Sequence, residues 1–384
     1  MNICDYKVII VGSGFYGSTM AHQIVTDLEI PVLIVEARNH VGGNSYSYKD
    51  QNTNIEIHKY GPHIFHTSNT EVWNFINKFT SFNDYIHRVW SNHNGQLYSF
   101  PINQHSLSQF YGKAISPEEI KDILPKETLA SYESFEDKAL ALIGKNLYEA
   151  FYKHYTIKQW GKDPKEIPAS VFSRLPIRFN LNSRYFLDKY QGIPSNGYSE
   201  IFYNMLKNKL IDVLLDTDFF KIRNQITSNQ LVIYTGPIDR YFNYSEGYLE
   251  WRTTQFEYET INVPDYQGAA VISYPDPDVA FTRIVEFKHF NTDQSCDLNK
   301  TIISREYSKS ATGSDNPYYP VNSPTDKKIY EQYKKMAEIE SNTIFGGRLG
   351  TYRYLDMHQA IASSLQTYST TVRPKLKQLI KEER

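Results

Sequence analysis

The sequence predicts an α/β fold: a discontinuous Rossmann-like dinucleotide-binding domain with an inserted helical bundle and an antiparallel β-sheet domain. Three observations carry it. Val8-Ile9-Ile10-Val11 runs straight into Gly12-Ser13-Gly14-Phe15-Tyr16-Gly17, a G-x-G-x-x-G between a strand and a helix. From Phe135 to His154 apolar residues recur at three- and four-residue spacing. Residues 252–310 hold several short runs of β-formers.

The glycines have separate tasks. Gly12 makes the tight turn, Gly14 admits backbone close to a pyrophosphate, and Gly17 lets the helix Ser18–Leu28 pack on the strand. Phe15 lies inside the glycine motif, ahead of the helix, whose N-terminal N–H groups and dipole favour an anion. A second strand, Pro31–Val35, ends at Glu36, about 20 residues past the glycines, where ribose hydroxyls are expected. Ala37, Arg38, Gly42, Gly43 and Asn44 follow, and a glycine pair there is more typical of FAD than of NAD proteins. The alternative is a glycine turn in an unrelated α/β domain. It does not account for the ordered strand, glycines, helix, strand and acid.

The chain has 384 residues, enough for two or three domains. A formal net charge of −2 gives no broad basic field, so nucleic acid is not an expected partner. The 31 tyrosines can supply hydroxyls to a polar ligand site, although packing is the simpler role for most of them. Cys4 and Cys296 form neither a disulfide framework nor a metal set. No apolar run approaches the ~20 residues of a membrane span. The chain opens straight into a strand without a leader, so a cytoplasmic protein is expected.

Residues 54–67 read as a short strand to Tyr60, a turn at Gly61-Pro62 and a loop holding His63, Ile64 and His66. No nearby cysteine or carboxylate accompanies these histidines, which argues against a metal. They are either surface histidines or neighbours of a ring system that changes charge. Tyr85–Pro101 reads as a hairpin turning at Asn94-Gly95. Residues 106–160 read as helical, with Pro117-Glu118-Glu119 opening one helix. Residues 161–179 hold three prolines and a glycine, and are expected either to move as a lid or to connect domains. Ile211–Leu215 and Leu231–Tyr234, ending in Thr235-Gly236-Pro237, return to the nucleotide domain. Thr343–Phe345 ends in Gly346-Gly347-Arg348, where a guanidinium suits a pyrophosphate. A helix follows from about Leu355.

With these pieces in order, the chain resembles the bacterial UDP-galactopyranose mutases over nearly its whole length. The resemblance rests on the glycine motif and His58-Lys59-Tyr60-Gly61-Pro62-His63-Ile64-Phe65-His66-Thr67. It continues through Tyr155-Thr156-Ile157-Lys158-Gln159-Trp160, Tyr185-Phe186, Tyr190 to Pro194 and Tyr234 to Asp239. It ends with Pro317 to Pro320, Gly346 to Leu349 and Tyr354 through His358.

The resemblance implies an FAD domain at 1–84, 195–242 and 335–384, and a helical domain at 105–194 with a mobile lid at 161–179. An antiparallel sheet domain takes 85–104 and 243–334. It implies an isomerase that interconverts UDP-galactopyranose and UDP-galactofuranose for cell-surface polysaccharide, with N5 of reduced FAD attacking the anomeric carbon. The expected cofactor is FAD and the expected partners are a nucleotide sugar and a second copy of the chain. By the resemblance Arg174 and Arg283 would flank the diphosphate, and His63 would sit by the flavin. Tyr185, Tyr319 and Tyr354 would donate to the phosphates. By the same resemblance Tyr155 would stack on the base with Trp160 beside it, Phe151 would belong to the substrate-binding set, and His87 and Arg88 would lie near the sugar. The cofactor set is Gly12, Gly14, Phe15, Gly17, Glu36, Ala37, Arg38, Gly43, Asn44, His63, Ile64, Gly236, Arg252, Gly347, Arg348, Tyr354, Asp356 and Met357. Taken singly, many of these have simpler structural roles.

Some positions depart from the family pattern. Ser273 stands where Asn is usual, Ala280-Phe281 where Pro-Tyr is usual, and His154 where Gly is usual. They leave open a mutase of the same mechanism acting on TDP-fucopyranose or UDP-N-acetylgalactosamine. Two further readings are an FAD amine oxidase-like oxidoreductase and a non-catalytic nucleotide-sugar binder.

Overall fold

The computed structural model describes residues 2–125, 131–172, 177–291, 296–297, 299–313 and 315–382. The apolar runs read as strands form a five-stranded, wholly parallel sheet in the order Thr343–Phe345, Leu231–Tyr234, Val8–Val11, Val32–Val35, Ile211–Leu214. Strands without polar alternation are explained by burial on both faces. Val8 and Ile10 pack with Met20, Ile24, Val372 and Leu376. Ile9 and Val11 face Leu33, Phe219, Val232 and Tyr234 on the other side. The first helix, Phe15–Leu28, starts three residues earlier than expected because Gly14 is its N-cap.

A seven-stranded sheet takes the order Tyr319–Pro320, Trp251–Ile261, Thr301–Ser310, Arg283–Glu286, Val271–Ser273, Val89–His93, Gln96–Phe100. The expectation of a purely antiparallel sheet needs one correction: Val271–Ser273 runs parallel to Val89–His93, where the early hairpin joins the late strands. That hairpin turns at Asn94-Gly95, both at positive φ, as its sequence predicted.

The helical region buries Leu107, Ile120, Phe135, Ile143, Tyr148 and Phe172 in one core, with Tyr98 of the hairpin. Ser116 and Glu119 form a capping box at the start of Pro117–Ile123. The final helices run from Met357 to Glu382 and cover the parallel sheet.

The elements cross some expected boundaries. Helix Pro324–Ile339 spans 334/335, and its Tyr333 packs with Ile238, Trp251 and Tyr352. Tyr190–Gly192 pairs with Phe65–Thr67, so the end of the 105–194 segment lies against the nucleotide domain. Within the 161–179 stretch, Ile167 and Phe172 are buried in the helical core, and Phe135 N donates to Ile167 O at 2.7 Å. Arg178 is buried and donates to the backbone oxygens of Asn182, Arg184 and Tyr185. Among the described residues no helix is long and apolar enough to cross a membrane.

Candidate functional site

The parallel strands all point their C-terminal ends at one cleft of about 730 Å³, lined by Val11, Val35 and Tyr234. Open α/β sheets place ligands at this edge. Gly12 turns at φ +99° and a Cβ at Gly17 would come within 2.0 Å of Gly12 O, so the first helix can approach the strand only with glycine there. The helix thereby presents its N-terminus to the cleft, with no side-chain cap. Glu36 accepts from Ser13 N at 2.9 Å, from Ser13 Oγ at 2.7 Å and from Arg38 N at 3.0 Å. Arg38 stacks 4.3 Å over the Tyr60 ring and donates through Nη2 to Asn44 and Asn316. Its Nη1 is buried without a partner among the described residues.

His63 lines the same cleft. Its Nδ1 bonds Gly61 O at 2.8 Å, and a carbonyl can only accept, so the proton sits on Nδ1 and Nε2 is left as an acceptor. Burial pushes the imidazole down to about 4, and the charges of Arg348 and Arg283 add to this. His63 is therefore neutral near pH 7. His87 is held down to about 3 by burial, with Arg283 again contributing.

Arg283 stands directly opposite Glu306 in the antiparallel register, and its Nε donates to Glu306 Oε2 at 2.5 Å. Burial opposes the guanidinium charge, but Glu306, then Tyr155 and Tyr319, hold it protonated above its ordinary value. Tyr319 stacks on Tyr354 at 5.6 Å, and Arg348 lies 4.8 Å over the Tyr354 ring. The charge of Arg283 thus bears on residues from three separate segments: the His63 loop, His87 and the Tyr155 helix.

The family model for UDP-galactopyranose mutase matches residues 150–354, and one for an NAD(P)-binding Rossmann-like domain matches residues 10–79. The chain belongs to the UDP-galactopyranose mutase family. It is 42% identical over 367 residues to the dTDP-fucopyranose mutase of Escherichia coli, covering 94% of this chain and 97% of that one. It is 42% identical over 364 residues to a probable UDP-galactopyranose mutase of Klebsiella pneumoniae, covering 94% and 93%. A crystal structure of reduced UDP-galactopyranose mutase superposes with a TM-score of 0.74 at 15% identity, covering 96% of this chain and 94% of that one.

For this mutase family member, an isomerase with a Rossmann-like nucleotide domain, most of the expected cofactor residues line the cleft. They are Gly12, Gly14, Phe15, Gly17, Glu36, Ala37, Arg38, Gly43, Asn44, His63, Gly236, Gly347, Arg348 and Met357. Tyr354 adjoins them through Arg348, and Asp356 caps the helix Met357–Thr367. Arg174 lies outside the described residues. Tyr185 is half-buried, edge-on to His87 at 5.3 Å. Trp160 is half-buried against the helical core.

Four residues sit elsewhere than expected. Arg252 is buried and spends its guanidinium on Lys158 O, Gln159 O, Ser308 Oγ and Ser310 Oγ, capping a helix rather than facing the cleft. Phe151 is packed between Tyr98 and Phe110 inside the helical core, because the π-helical turn Tyr148–Lys153 rotates it inward. Ile64 packs in a separate core with Ile193 and Val285. Arg88 is exposed and donates to Ser183.

Glu306 was not singled out from the sequence. Its signal, a carboxylate on the strand facing Arg283, exists only once the register is known. Phe220, Arg240 and Tyr248 also line the cleft, and no motif marks them. His66, Asp356 and His358 come together in the fold, although no carboxylate lies near His66 in sequence. Asp188 also accepts from His66 Nδ1 at 2.9 Å.

Proposed function

We propose that this chain interconverts UDP-galactopyranose and UDP-galactofuranose with reduced FAD as its cofactor. The observation that carries the reading is Arg283, a half-buried cation paired with buried Glu306 and electrostatically coupled to Tyr155, Tyr319, His63 and His87. The cleft residues fit FAD: an uncapped helix N-terminus suits a pyrophosphate, and the orphaned Arg38 Nη1 suits an acceptor on the dinucleotide. When bound and reduced, FAD supplies an electron-rich N5 as the nucleophile for the anomeric carbon.

The chain's own residues handle the rest. Departure of the nucleoside diphosphate concentrates negative charge, and a preorganised guanidinium is suited to stabilise it. Arg283 needs no proton change for that role. Tyr319 and Tyr354 offer hydroxyls beside it, and Arg174 belongs to this proposal by family resemblance. Tyr155 and Trp160 offer aromatic faces to the base. Neutral His63 accepts a hydrogen bond through Nε2 without adding a competing charge near the flavin. A homodimer and a cytoplasmic location belong to the same reading and rest on the family resemblance.

A second reading keeps the chemistry and changes the sugar. The relative named dTDP-fucopyranose mutase is as similar as the one named probable UDP-galactopyranose mutase. Ser273 pairs with Arg283 in the sheet, so a departure from the family pattern touches the proposed phosphate site. The test is to incubate dithionite-reduced protein with UDP-galactofuranose, UDP-N-acetylgalactosamine and a dTDP-6-deoxysugar in parallel and separate the products. UDP-galactofuranose should convert, and only after reduction. Preferred conversion of the dTDP-sugar selects the second reading, and conversion without reduction rejects both.

A further inference from the structure

The end of helix His154–Trp160 is fastened to the sheet from both sides. Arg252 caps its last carbonyls from the sheet side, and Ser308 Oγ adds a bond to Gln159 O at 2.6 Å. Lys158 reaches across in the opposite direction. Its Nζ lies 2.5 Å from Tyr274 O, 3.0 Å from Asp276 O, 2.9 Å from Val279 O and 3.2 Å from Phe281 O. Four carbonyls converge on one ammonium, which has only three N–H groups. That is the coordination of a bound cation, supplied here by a tethered one.

The ring belongs to the loop that connects strands Val271–Ser273 and Arg283–Glu286. Beyond the ring, Thr282 N donates to Glu306 O at 2.8 Å, and Arg283 comes next. The Asp276 carboxylate secures the loop from its other side, accepting from His93 Nδ1 at 2.5 Å and Asn94 N at 2.7 Å. The same helix that donates Lys158 carries Tyr155 and Trp160.

We propose that Lys158 is a positioning residue: its ammonium fills a four-carbonyl cation site and fixes the 274–281 loop, and with it Arg283, against the helix that carries Tyr155 and Trp160. The inference rests on the nucleotide-sugar reading of Arg283, Tyr155 and Trp160. Without the ammonium, the carbonyls of Tyr274, Val279 and Phe281 lose this donor and Asp276 O keeps only Val279 N, so the loop retains its ties to Thr282, His93 and Asn94 but loses the one that joins it to the helix. Burial pushes the Lys158 amine down to about 8, while Asp276 and Asp278 favour its charge.

The test measures the dissociation constant of UDP calorimetrically for wild-type protein and Lys158→Ala, each with and without n-propylammonium chloride. 1-Propanol serves as the uncharged control. Lys158→Ala should bind UDP about tenfold more weakly or worse, the scale of losing hydrogen bonds to a charged group. n-Propylammonium, which restores the missing atoms and the charge, should recover most of the affinity, and 1-propanol should not. Unchanged UDP affinity in Lys158→Ala overturns the inference, and so does equal rescue by the alcohol, which would mean the site needs volume alone. If Lys158→Ala does not fold, Lys158→Met keeps the chain length without charge. Wild-type affinity in that variant overturns the inference, and weakened affinity supports it. Wild-type protein that binds no UDP removes the nucleotide reading and this inference together. Normal wild-type binding beside an unaffected variant removes only the role of Lys158.

Discussion

Arg283 Nε and Glu306 Oε2 meet at 2.5 Å across two adjacent antiparallel strands, with Glu306 buried. The pair holds a permanent cation beside residues drawn from distant parts of the chain. Removing the cation should cost most where negative charge develops. Arg283→Ala is expected to lower turnover by about 100- to 1000-fold, measured as product formed by reduced enzyme. It also leaves Glu306 buried without its counter-charge, and such losses run to about 3–5 kcal/mol of stability. Near-normal turnover in a folded variant would remove Arg283 from the phosphate site.

Glu306→Gln separates the two roles. It keeps the shape and one hydrogen bond while removing the counter-charge. Turnover should fall less than in Arg283→Ala, because the guanidinium remains, while the thermal midpoint drops. Equal losses in the two variants would mean that the carboxylate itself takes part.

Three histidines, His58 and His87 buried and His63 half-buried at the cleft, give the protein a sign in its response to acid. His58 and His87 are held down to about 3 and His63 to about 4, against an ordinary value of 6.5. Burial is the main cause for each. Between the folded and ordinary values the unfolded chain binds the extra protons, so stability rises with pH across this window and is lost as pH falls through it. Each such group contributes up to about 1.4 kcal/mol per pH unit there. Thermal midpoints should fall from pH 6.5 towards pH 4, and His87→Asn should flatten that slope. A slope unchanged by the substitution would mean that His87 is not held neutral.

Phe151 and Trp160 should separate cleanly. Phe151→Ala empties a packed site between Tyr98 and Phe110 and should cost about 3–5 kcal/mol of stability, read by denaturant unfolding. The UDP affinity of its folded fraction should stay within a few-fold of wild type. Trp160→Ala should weaken UDP binding by roughly 1–3 kcal/mol, the worth of a base stacked on an aromatic ring. A large loss of affinity in Phe151→Ala would return that residue to the substrate-binding set.

Gly17→Ala tests the cleft itself. A methyl group there would sit 2.0 Å from Gly12 O and force the helix off the strand. The variant is expected to purify with little or no yellow chromophore and a lowered midpoint. Full flavin content would contradict the fit of FAD to this cleft.

The sequence by itself determined everything that local chemistry controls. The run Val8–Val11 into Gly12, Gly14 and Gly17 specified a strand, a turn and a packed helix, because Gly12 turns at positive φ and Gly17 has no room for a Cβ. Asn94-Gly95 specified a hairpin for the same kind of reason, and the ordered motifs specified the family. What only the tertiary structure decided was the partner of each side chain. Glu306 meets Arg283 through strand register. Arg252 turns to Gln159 because the sheet passes beneath the end of a helix. Phe151 turns inward on a π-helical turn, and Lys158 finds four carbonyls more than 100 residues away. Turn and helix preferences act within a few residues, whereas burial, register and charge pairing depend on which distant segments the whole fold brings into contact.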